Sequence, residues 1–232
     1  MHGMLFEYRL FDISMADPIA WIAIILVDDC CMYWYHRAHH EVRVLWAVHV
    51  NHHSARTYNL STALRQAWGS PFTSPLFWTI MPILGFPLEM VLIQMAVNLL
   101  YQFWLHTETI GTLPAWFEYI FNTPSHHRAH HGRNPRYLDC NYGGIFIFWD
   151  RMFGTFVPET EKVDYGITTP LETHNPLVIA SHEMVAVWRD AVQAESLKDG
   201  AGYLLRPPGW QPGDDSQTAK GMKRAMPVGD TH

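Results

Sequence analysis

Hydrophobic residues are concentrated in two blocks long enough to form apolar helices. The first runs from Pro18 to Tyr35, and a helix of that length, rising about 1.5 Å per residue, nearly crosses a hydrocarbon layer about 30 Å thick. The second runs from Phe72 to Trp104, with Glu89 as its only charged residue. The pattern predicts an all-α integral membrane protein.

The second block is interrupted by PILGFP, residues 82–87. Proline and glycine residues in such a cluster end helices. The block therefore predicts a transmembrane helical hairpin, with one arm over residues 67–84 and the other over residues 87–106. Both ends of this hairpin are expected to return to the same side of the membrane.

Basic loops next to apolar helices favour the cytoplasmic side. The arginines of these loops are Arg37, Arg43, Arg56 and Arg65 before the hairpin and Arg128, Arg133, Arg136 and Arg151 after it. Residues 113–121 and 145–156 are rich in aromatics and poor in charges, which is typical of interfacial helices. We expect one membrane domain over residues 1–206, followed by a disordered polar tail over residues 207–232.

Histidine is strongly over-represented, with 15 copies in 232 residues. His36 and His40 form an HxxxH motif, and the sequences HVNHH (residues 49–53) and HRAHH (residues 127–131) each place three histidines at helical spacing on one face. One such triplet could arise by chance or as solvated surface, but two triplets and a pair predict a metal site. The eight candidate ligands are His36, His40, His49, His52, His53, His127, His130 and His131.

Eight imidazoles exceed the needs of one metal ion, so two ions are expected. Imidazole suits iron, zinc, copper and nickel, and the three cysteines do not form a thiolate zinc motif. A histidine that binds a metal through one ring nitrogen usually donates the N–H of the other to a carboxylate, so we expect carboxylates beside these ligands. Candidates for that role are Asp29, Glu41, Glu108 and Asp139. The net charge of −6 argues against a nucleic-acid partner.

Asn98, Gln102 and His106 recur every four residues and form a polar ridge on an otherwise apolar helix. A hydrogen-bonded core histidine is an equal alternative for a lone His106, but the ridge favours a ninth ligand. We assign Asp29, Asn98, Gln102 and Glu108 to the catalytic site. His39 and His126 point off the shared faces and are expected to support the ligands.

The segments DCCMYWYHRAHHE, AVHVNHHS, NTPSHHRAHHGRN and NYGGIFIFWDRMFGTF resemble the fatty acid hydroxylase and sterol desaturase superfamily. Within it they are most similar to the alkylglycerol monooxygenase branch and to bacterial sterol desaturase family proteins. The likeness is strong over about residues 28–158 and weaker beyond. It implies a di-iron centre facing the cytoplasm and O2-dependent hydroxylation of a lipid, either an ether lipid, a fatty acyl chain or a sterol.

The resemblance implies tetrahydrobiopterin as the external reductant in the alkylglycerol branch, and an electron-donor protein, cytochrome b5 or ferredoxin, in others. Desaturation by the same site is an alternative. Two further alternatives are a zinc-dependent hydrolase, for which eight histidines are too many, and a non-catalytic metal transporter or sensor. Relatives usually carry more hydrophobic helices before the first histidine motif, which raises the expectation that the natural chain starts earlier.

Overall fold

The computed structural model describes residues 1–227, and all of its regular elements are helices. Isolated bridges such as Phe121 to Phe146 occur, but residues 1–227 contain no extended strand. The fold class predicted from the apolar blocks is thus confirmed as all-α. The helices are α1 His2–Phe6, α2 Pro18–Glu41, α3 Arg43–His53, α4 Leu60–Ala63, α5 Ser70–Trp78, α6 Ile80–Leu84, α7 Leu88–Leu105, α8 Ala115–Ile120, α9 Pro124–His130, a 3-10 turn Pro135–Tyr137, α10 Phe148–Phe153, α11 Pro176–Val192, α12 Leu197–Leu205 and α13 Ala219–Arg224.

Helix α2 is the longest and extends past the first apolar block into the HxxxH motif. It begins where the Asp17 side chain accepts a hydrogen bond from the Ile19 N–H at 2.9 Å, with Pro18 at the first helical position. It continues for 24 residues to Glu41. Its last two turns therefore carry His36 and His40.

The break predicted in the second apolar block lies where expected, but the first arm of the hairpin differs. Gly85 adopts a left-handed conformation with φ of 102° after α6, and α7 follows Pro87. The first arm begins at Ser70 and divides at Thr79 into α5 and α6. Pro82 explains the division, since it has no N–H to pair with the carbonyl one turn earlier.

Two helices, α2 and α7, are long and apolar enough to cross a membrane by length and composition. The divided first arm of the hairpin does not reach that length within residues 1–227. The two long helices share an apolar core that includes Ile24, Met81 and Met90. Their outer faces expose large apolar side chains, among them Ile22 and Leu100, as is typical of surfaces that contact lipid or a partner.

The aromatic-rich segments form α8 and α10, six residues each. Helices of that length rise about 9 Å and are too short to span, and their placement at an interface stays a prediction. The chain after Pro207 differs from the disordered tail that its composition predicts. Trp210 packs against Tyr203, and Thr218 caps α13. These contacts hold the polar stretch in place, while residues 228–232 lie outside the described residues.

Candidate metal centre

The nine histidines selected from the sequence converge into two buried groups. Within each group, the ligand atoms of its members lie within 4.8 Å of one another. Throughout, the five-histidine group is His36, His40, His49, His53 and His130, and the four-histidine group is His52, His106, His127 and His131.

Each HxxHH triplet supplies both groups. In α3, His49 and His53 belong to the five-histidine group, and His52 to the other. At α9 the division is reversed, because His130 alone belongs to the five-histidine group while its neighbours in the triplet belong to the four-histidine group. Histidines four apart point the same way, and the one between them points about a third of a turn aside. Two crossing helices can therefore serve two adjacent sites.

The ring nitrogens that converge are the Nε2 atoms. They lie 3.2 Å apart between His36 and His49, and 3.1 Å apart between His106 and His127. The Nε2 atoms of His130 and His131 are buried without a hydrogen-bond partner. Buried nitrogens aimed at one another, some of them unpartnered, are what a metal-binding set requires. The residues present therefore fit metal ions.

Backbone carbonyls fix the orientation of three rings. The Nδ1 atom of His36 donates to the carbonyl of Tyr142 at 2.9 Å, and that of His130 donates to the carbonyl of Cys140 at 2.8 Å. His106 donates in the same way to the carbonyl of Gln102 at 2.9 Å. A proton on Nδ1 leaves the Nε2 lone pair free for a metal.

The sequence assigned this orienting role to carboxylates, and the structure places most of them elsewhere. Glu41 pairs with Arg37 at 2.9 Å, and the exposed Glu108 accepts from the Tyr165 hydroxyl at 3.2 Å. Neither touches a ligand ring. Asp139 is the exception, with Oδ1 at 3.5 Å from the Nδ1 atom of His40.

Asp29 acts on a loop instead of on a ring. Its buried carboxylate accepts the N–H groups of Ile145 at 2.6 Å and Phe146 at 2.9 Å, and the indole N–H of Trp149 at 3.1 Å. The same loop presents the carbonyls of residues 140 and 142 to the five-histidine group. Asp29 therefore reaches the site through the backbone of residues 140–146.

Asp150 holds the same loop, and the sequence interpretation missed it. It accepts the N–H groups of Tyr142 at 2.7 Å and Gly143 at 2.8 Å, and the Thr155 hydroxyl at 2.7 Å. Burial raises the pKa of Asp150 to about 6, although these hydrogen bonds oppose the shift. The glycine pair before an aspartate in NYGGIFIFWD was the signal available in the sequence.

The predicted polar ridge forms a hydrogen-bonded chain. The side-chain amide of Asn98 donates to Asp28 at 2.8 Å and to Asp29 at 3.3 Å, and the side-chain amide of Gln102 donates to the side-chain Oδ1 of Asn98 at 2.8 Å. The backbone carbonyl of Gln102 then accepts from His106. Asn98 and Gln102 thus connect the two buried aspartates of α2 to a member of the four-histidine group.

His39 and His126 lie outside both groups. His39 donates to the Tyr35 carbonyl at 2.7 Å and contacts the Thr73 hydroxyl at 3.0 Å. The Nε2 atom of His126 is 3.9 Å from a carboxylate oxygen of Glu118. Their position outside the groups is what their spacing predicts, and that they support the ligands stays a prediction.

Burial keeps the ligand imidazoles neutral. It lowers the pKa of His53 and His131 well below the ordinary value, and neighbouring imidazoles add repulsion against a proton. Burial also lowers the pKa of His106 to about 4. Neutral imidazoles bind late first-row divalent metals well. Neither group contains a carboxylate among the described residues, so a bound cation would keep most of its charge.

One cavity opens on this region, and another lies along α2. One, of about 640 Å³, opens on His40, His53 and His130 and has polar and aromatic walls. The other, of about 460 Å³, has almost entirely apolar walls that include Leu26, Trp34 and Trp149. The first gives access to the five-histidine group, and the second suits an alkyl chain.

The protein is thus all-helical, with two long apolar helices and with two buried histidine groups near the carboxyl ends of those helices. The chain belongs to the fatty acid hydroxylase family, whose model matches residues 21–155. That region contains all nine histidines of the two groups. No solved structure matches the chain.

Relatives of known function extend the likeness beyond residue 155. The chain is 44% identical over 207 residues to an alkylglycerol monooxygenase of Xenopus tropicalis and 43% identical over 208 residues to that of Homo sapiens. Each of these matches covers 89% of this chain and 46% of the relative. It is 31% identical over 157 residues to the ornithine lipid hydroxylase OlsE of Rhizobium tropici, covering 65% of this chain and 47% of that protein. The chain thus spans about half the length of the relatives it matches.

Proposed function

We propose that this protein is an O2-dependent lipid monooxygenase with two iron ions, one held by each histidine group. The observation that carries the proposal is the pair of adjacent, buried groups that contain only imidazoles. Each HxxHH triplet contributes histidines to both groups. Membership of the fatty acid hydroxylase family supports a lipid as the substrate. A single zinc ion, as a hydrolase would use, leaves half of these ligands without a role.

Bound and reduced iron supplies the means to activate O2 and to insert one oxygen atom into a C–H bond. The protein's part is to fix the ligands and to exclude water. Tyr142 and Cys140 hold two rings through their carbonyls, and Asp29 and Asp150 hold the loop that bears those carbonyls. Rings held in this way need little rearrangement during the reaction.

We propose an ether lipid of the alkylglycerol type as substrate. Oxygen inserted at the ether carbon gives a hemiacetal, whose C–O bond breaks to leave an aldehyde and a free glycerol hydroxyl. The second oxygen atom leaves with two electrons and two protons from the reductant, for which we propose tetrahydrobiopterin. The similarity to alkylglycerol monooxygenases supports this choice over a fatty acyl or sterol substrate.

We further propose that α2 and α7 insert into the membrane with the centre on the cytoplasmic side. Their length and apolar composition support insertion. The arginine-rich loops around the histidine motifs support the orientation. A transporter would need ligands spread along a path through the membrane, whereas both groups lie at one end of these helices.

The test uses the full chain purified in detergent and loaded with Fe(II). With tetrahydrobiopterin, ¹⁸O2 and 1-O-hexadecylglycerol, we expect hexadecanal that carries ¹⁸O when it is trapped at once by reduction to the alcohol. Iron analysis should give about two ions per chain, and His106→Gln should abolish the product. Absence of labelled product from a chain holding two irons, or turnover with zinc alone, would refute the proposal.

A further inference from the structure

A stacked pair of tyrosines leads away from the four-histidine group. The Tyr58 ring is buried, with its centre 5.1 Å from that of the His131 ring and 5.6 Å from that of the His106 ring. The Tyr165 ring stacks on it, with 4.9 Å between the ring centres and 5° between the planes, an offset-stacked arrangement that aromatic rings prefer. Tyr165 is only half-buried. Aromatic contacts thus connect two ligand rings to a side chain that reaches solvent.

The two tyrosine hydroxyl groups have different partners. Tyr58 donates to the backbone carbonyl of Leu105 at 3.1 Å, and Tyr165 donates to the carboxylate of the exposed Glu108 at 3.2 Å. A phenol that loses an electron becomes a strong acid and must lose its proton as well. A carboxylate accepts such a proton, whereas a backbone carbonyl does not. Tyr165 is therefore the member of the pair that is equipped to be oxidised reversibly.

The tyrosines beside the five-histidine group lack this arrangement. Tyr142 lies 5.3 Å from the His40 ring, but its hydroxyl is buried without a hydrogen-bond partner. Tyr33 meets Tyr142 at 77°, and its hydroxyl contacts Thr155 and Arg37, neither of which is a base. Tyr142 is thus a matched comparison for Tyr165, since it has the same phenol but no group to take the proton.

We propose that Tyr58 and Tyr165 carry electrons from the surface to the metal centre when O2 has been activated without a lipid in place. The inference rests on the proposed function, which supplies the oxidised centre. An oxidant able to break an alkyl C–H bond is strong enough to oxidise a phenol, and it would otherwise attack the imidazoles that hold it. The tyrosine pair protects those imidazoles from this competing reaction.

The transfer balances in electrons and protons. Tyr165 loses one electron, which crosses the Tyr58 ring to the centre, and its O–H proton passes to the Glu108 carboxylate. The tyrosyl radical left on Tyr165 regains one electron and one proton from a small one-electron donor of the ascorbate class, and Glu108 releases its proton to water. Each passage reduces the centre by one electron.

The test follows the radical instead of the lipid product. The full chain, purified in detergent and loaded with Fe(II), is mixed with O2 in the absence of lipid, tetrahydrobiopterin and ascorbate, and is then frozen for electron paramagnetic resonance. We expect a tyrosyl signal that narrows when the tyrosine rings carry deuterium and that is lost when ascorbate is added. Absence of a tyrosyl signal from a chain that holds its iron would overturn the proposal.

Two variants locate the radical, compared at equal iron content. Tyr165→Phe keeps the stacked ring but removes the O–H group, and we expect it to lose the tyrosyl signal. It should also accumulate oxidised His106 and His131 on repeated exposure to O2, as measured by mass spectrometry of peptides. Tyr142→Phe, the matched control, should keep the signal of the unsubstituted chain.

The outcomes separate this proposal from the proposed function. A signal that persists in Tyr165→Phe, or one that is lost in Tyr142→Phe, would overturn the role of the stacked pair. A signal assigned to Tyr165 in a chain that yields no labelled hexadecanal would refute the proposed function alone.

Discussion

At the scale of single residues, the direction of Nε2 distinguishes the members of the two histidine groups from the other buried histidines. In His36, His106 and His130 a backbone carbonyl holds the proton on Nδ1, so Nε2 faces the group interior. His39 is as buried as its neighbours, but both of its nitrogens contact α2 or α5. Burial therefore does not separate ligands from supporting histidines, whereas the direction of Nε2 does.

Replacing one histidine in each group tests this distinction. We expect His36→Gln and His106→Gln each to lower bound iron from about two ions per chain to about one, since a lost ligand weakens one site while the other keeps its set. His39→Gln is the matched control and should keep both ions. Iron is measured by mass spectrometry of the purified protein, and a loss of iron in His39→Gln would contradict the assignment.

Asp150 should be a positioning residue for the five-histidine group. Asp150→Asn turns one acceptor into a donor that faces the N–H groups of Tyr142 or Gly143. We expect a loss of about 1–3 kcal/mol in the free energy of unfolding and iron binding at the five-histidine group weaker by about 10- to 100-fold.

The control for Asp150 is Asp28→Asn. Asp28 is equally buried but accepts hydrogen bonds from Trp78, Gln94 and Asn98, not from the loop. Asp28→Asn should lower the free energy of unfolding without a selective loss of iron at the five-histidine group. Thermal unfolding and the Mössbauer spectrum of ⁵⁷Fe-loaded protein separate the two effects. If the Mössbauer spectrum of Asp150→Asn is unchanged, Asp150 does not position the five-histidine group.

At the scale of elements, α9 depends on one arginine for its position. Arg128 lies between ligands of the second triplet and pairs with Glu159 through two hydrogen bonds of 2.8 and 2.6 Å. It also donates to the carbonyls of Thr107 and Ile110. A planar guanidinium makes these contacts together, and an ammonium group does not. Arg128 thereby ties α9 to the chain that follows α7.

Replacement by lysine tests this anchor. We expect Arg128→Lys to lower the free energy of unfolding by about 1–3 kcal/mol, because the bidentate pair and one or more carbonyl contacts are lost. Arg133→Lys, at the more exposed pair with Asp164, should change it by less than about 0.5 kcal/mol. Both values come from denaturant unfolding in detergent, and equal losses would show that α9 is anchored otherwise.

The sequence predicted those parts of the centre that depend on local spacing. Histidines at i, i+3 and i+4 share a helical face whatever the fold, so the HxxxH and HxxHH motifs selected eight imidazoles from the sequence. The polar ridge of Asn98 and Gln102 added His106. That these histidines bind metal stays a prediction. The division of each triplet between two groups depends on how α3 and α9 cross. The carbonyls of Cys140 and Tyr142, which orient two of the rings, belong to a loop whose sequence has no periodicity. The sequence therefore could not predict their role, and it assigned that role to carboxylates such as Glu108.

At the scale of the whole molecule, α2 and α7 both end at the two histidine groups. His40 lies in the last turn of α2, and His106 directly follows α7. The opposite end of this helix pair includes the Gly85 turn and the N-terminal segment, which is joined to α6 by a hydrogen bond from the Leu10 N–H to the Ile83 carbonyl at 2.8 Å. The molecule thus has a histidine end and a turn end.

If α2 and α7 span the membrane, these two ends face opposite compartments. We expect Gly3→Cys to react with an impermeant maleimide in right-side-out vesicles, and Gly111→Cys to react in inverted vesicles. Neither glycine has a neighbour within 4 Å, so both positions should accept the change. The unsubstituted chain measures the reactivity of Cys30, Cys31 and Cys140. Labelling of both introduced cysteines from the same side would indicate a chain that lies on one leaflet.

The shared use of α9 by the two histidine groups has a consequence for biosynthesis. Neither group is complete until the ribosome has passed His130, and the carbonyls of Cys140 and Tyr142 that hold the rings of His130 and His36 are made later still. The long apolar helices α2 and α7 precede that point along the chain. If α2 and α7 insert as they are made, as we propose, insertion precedes the completion of either group, and a metal ion can enter only a chain that is already anchored.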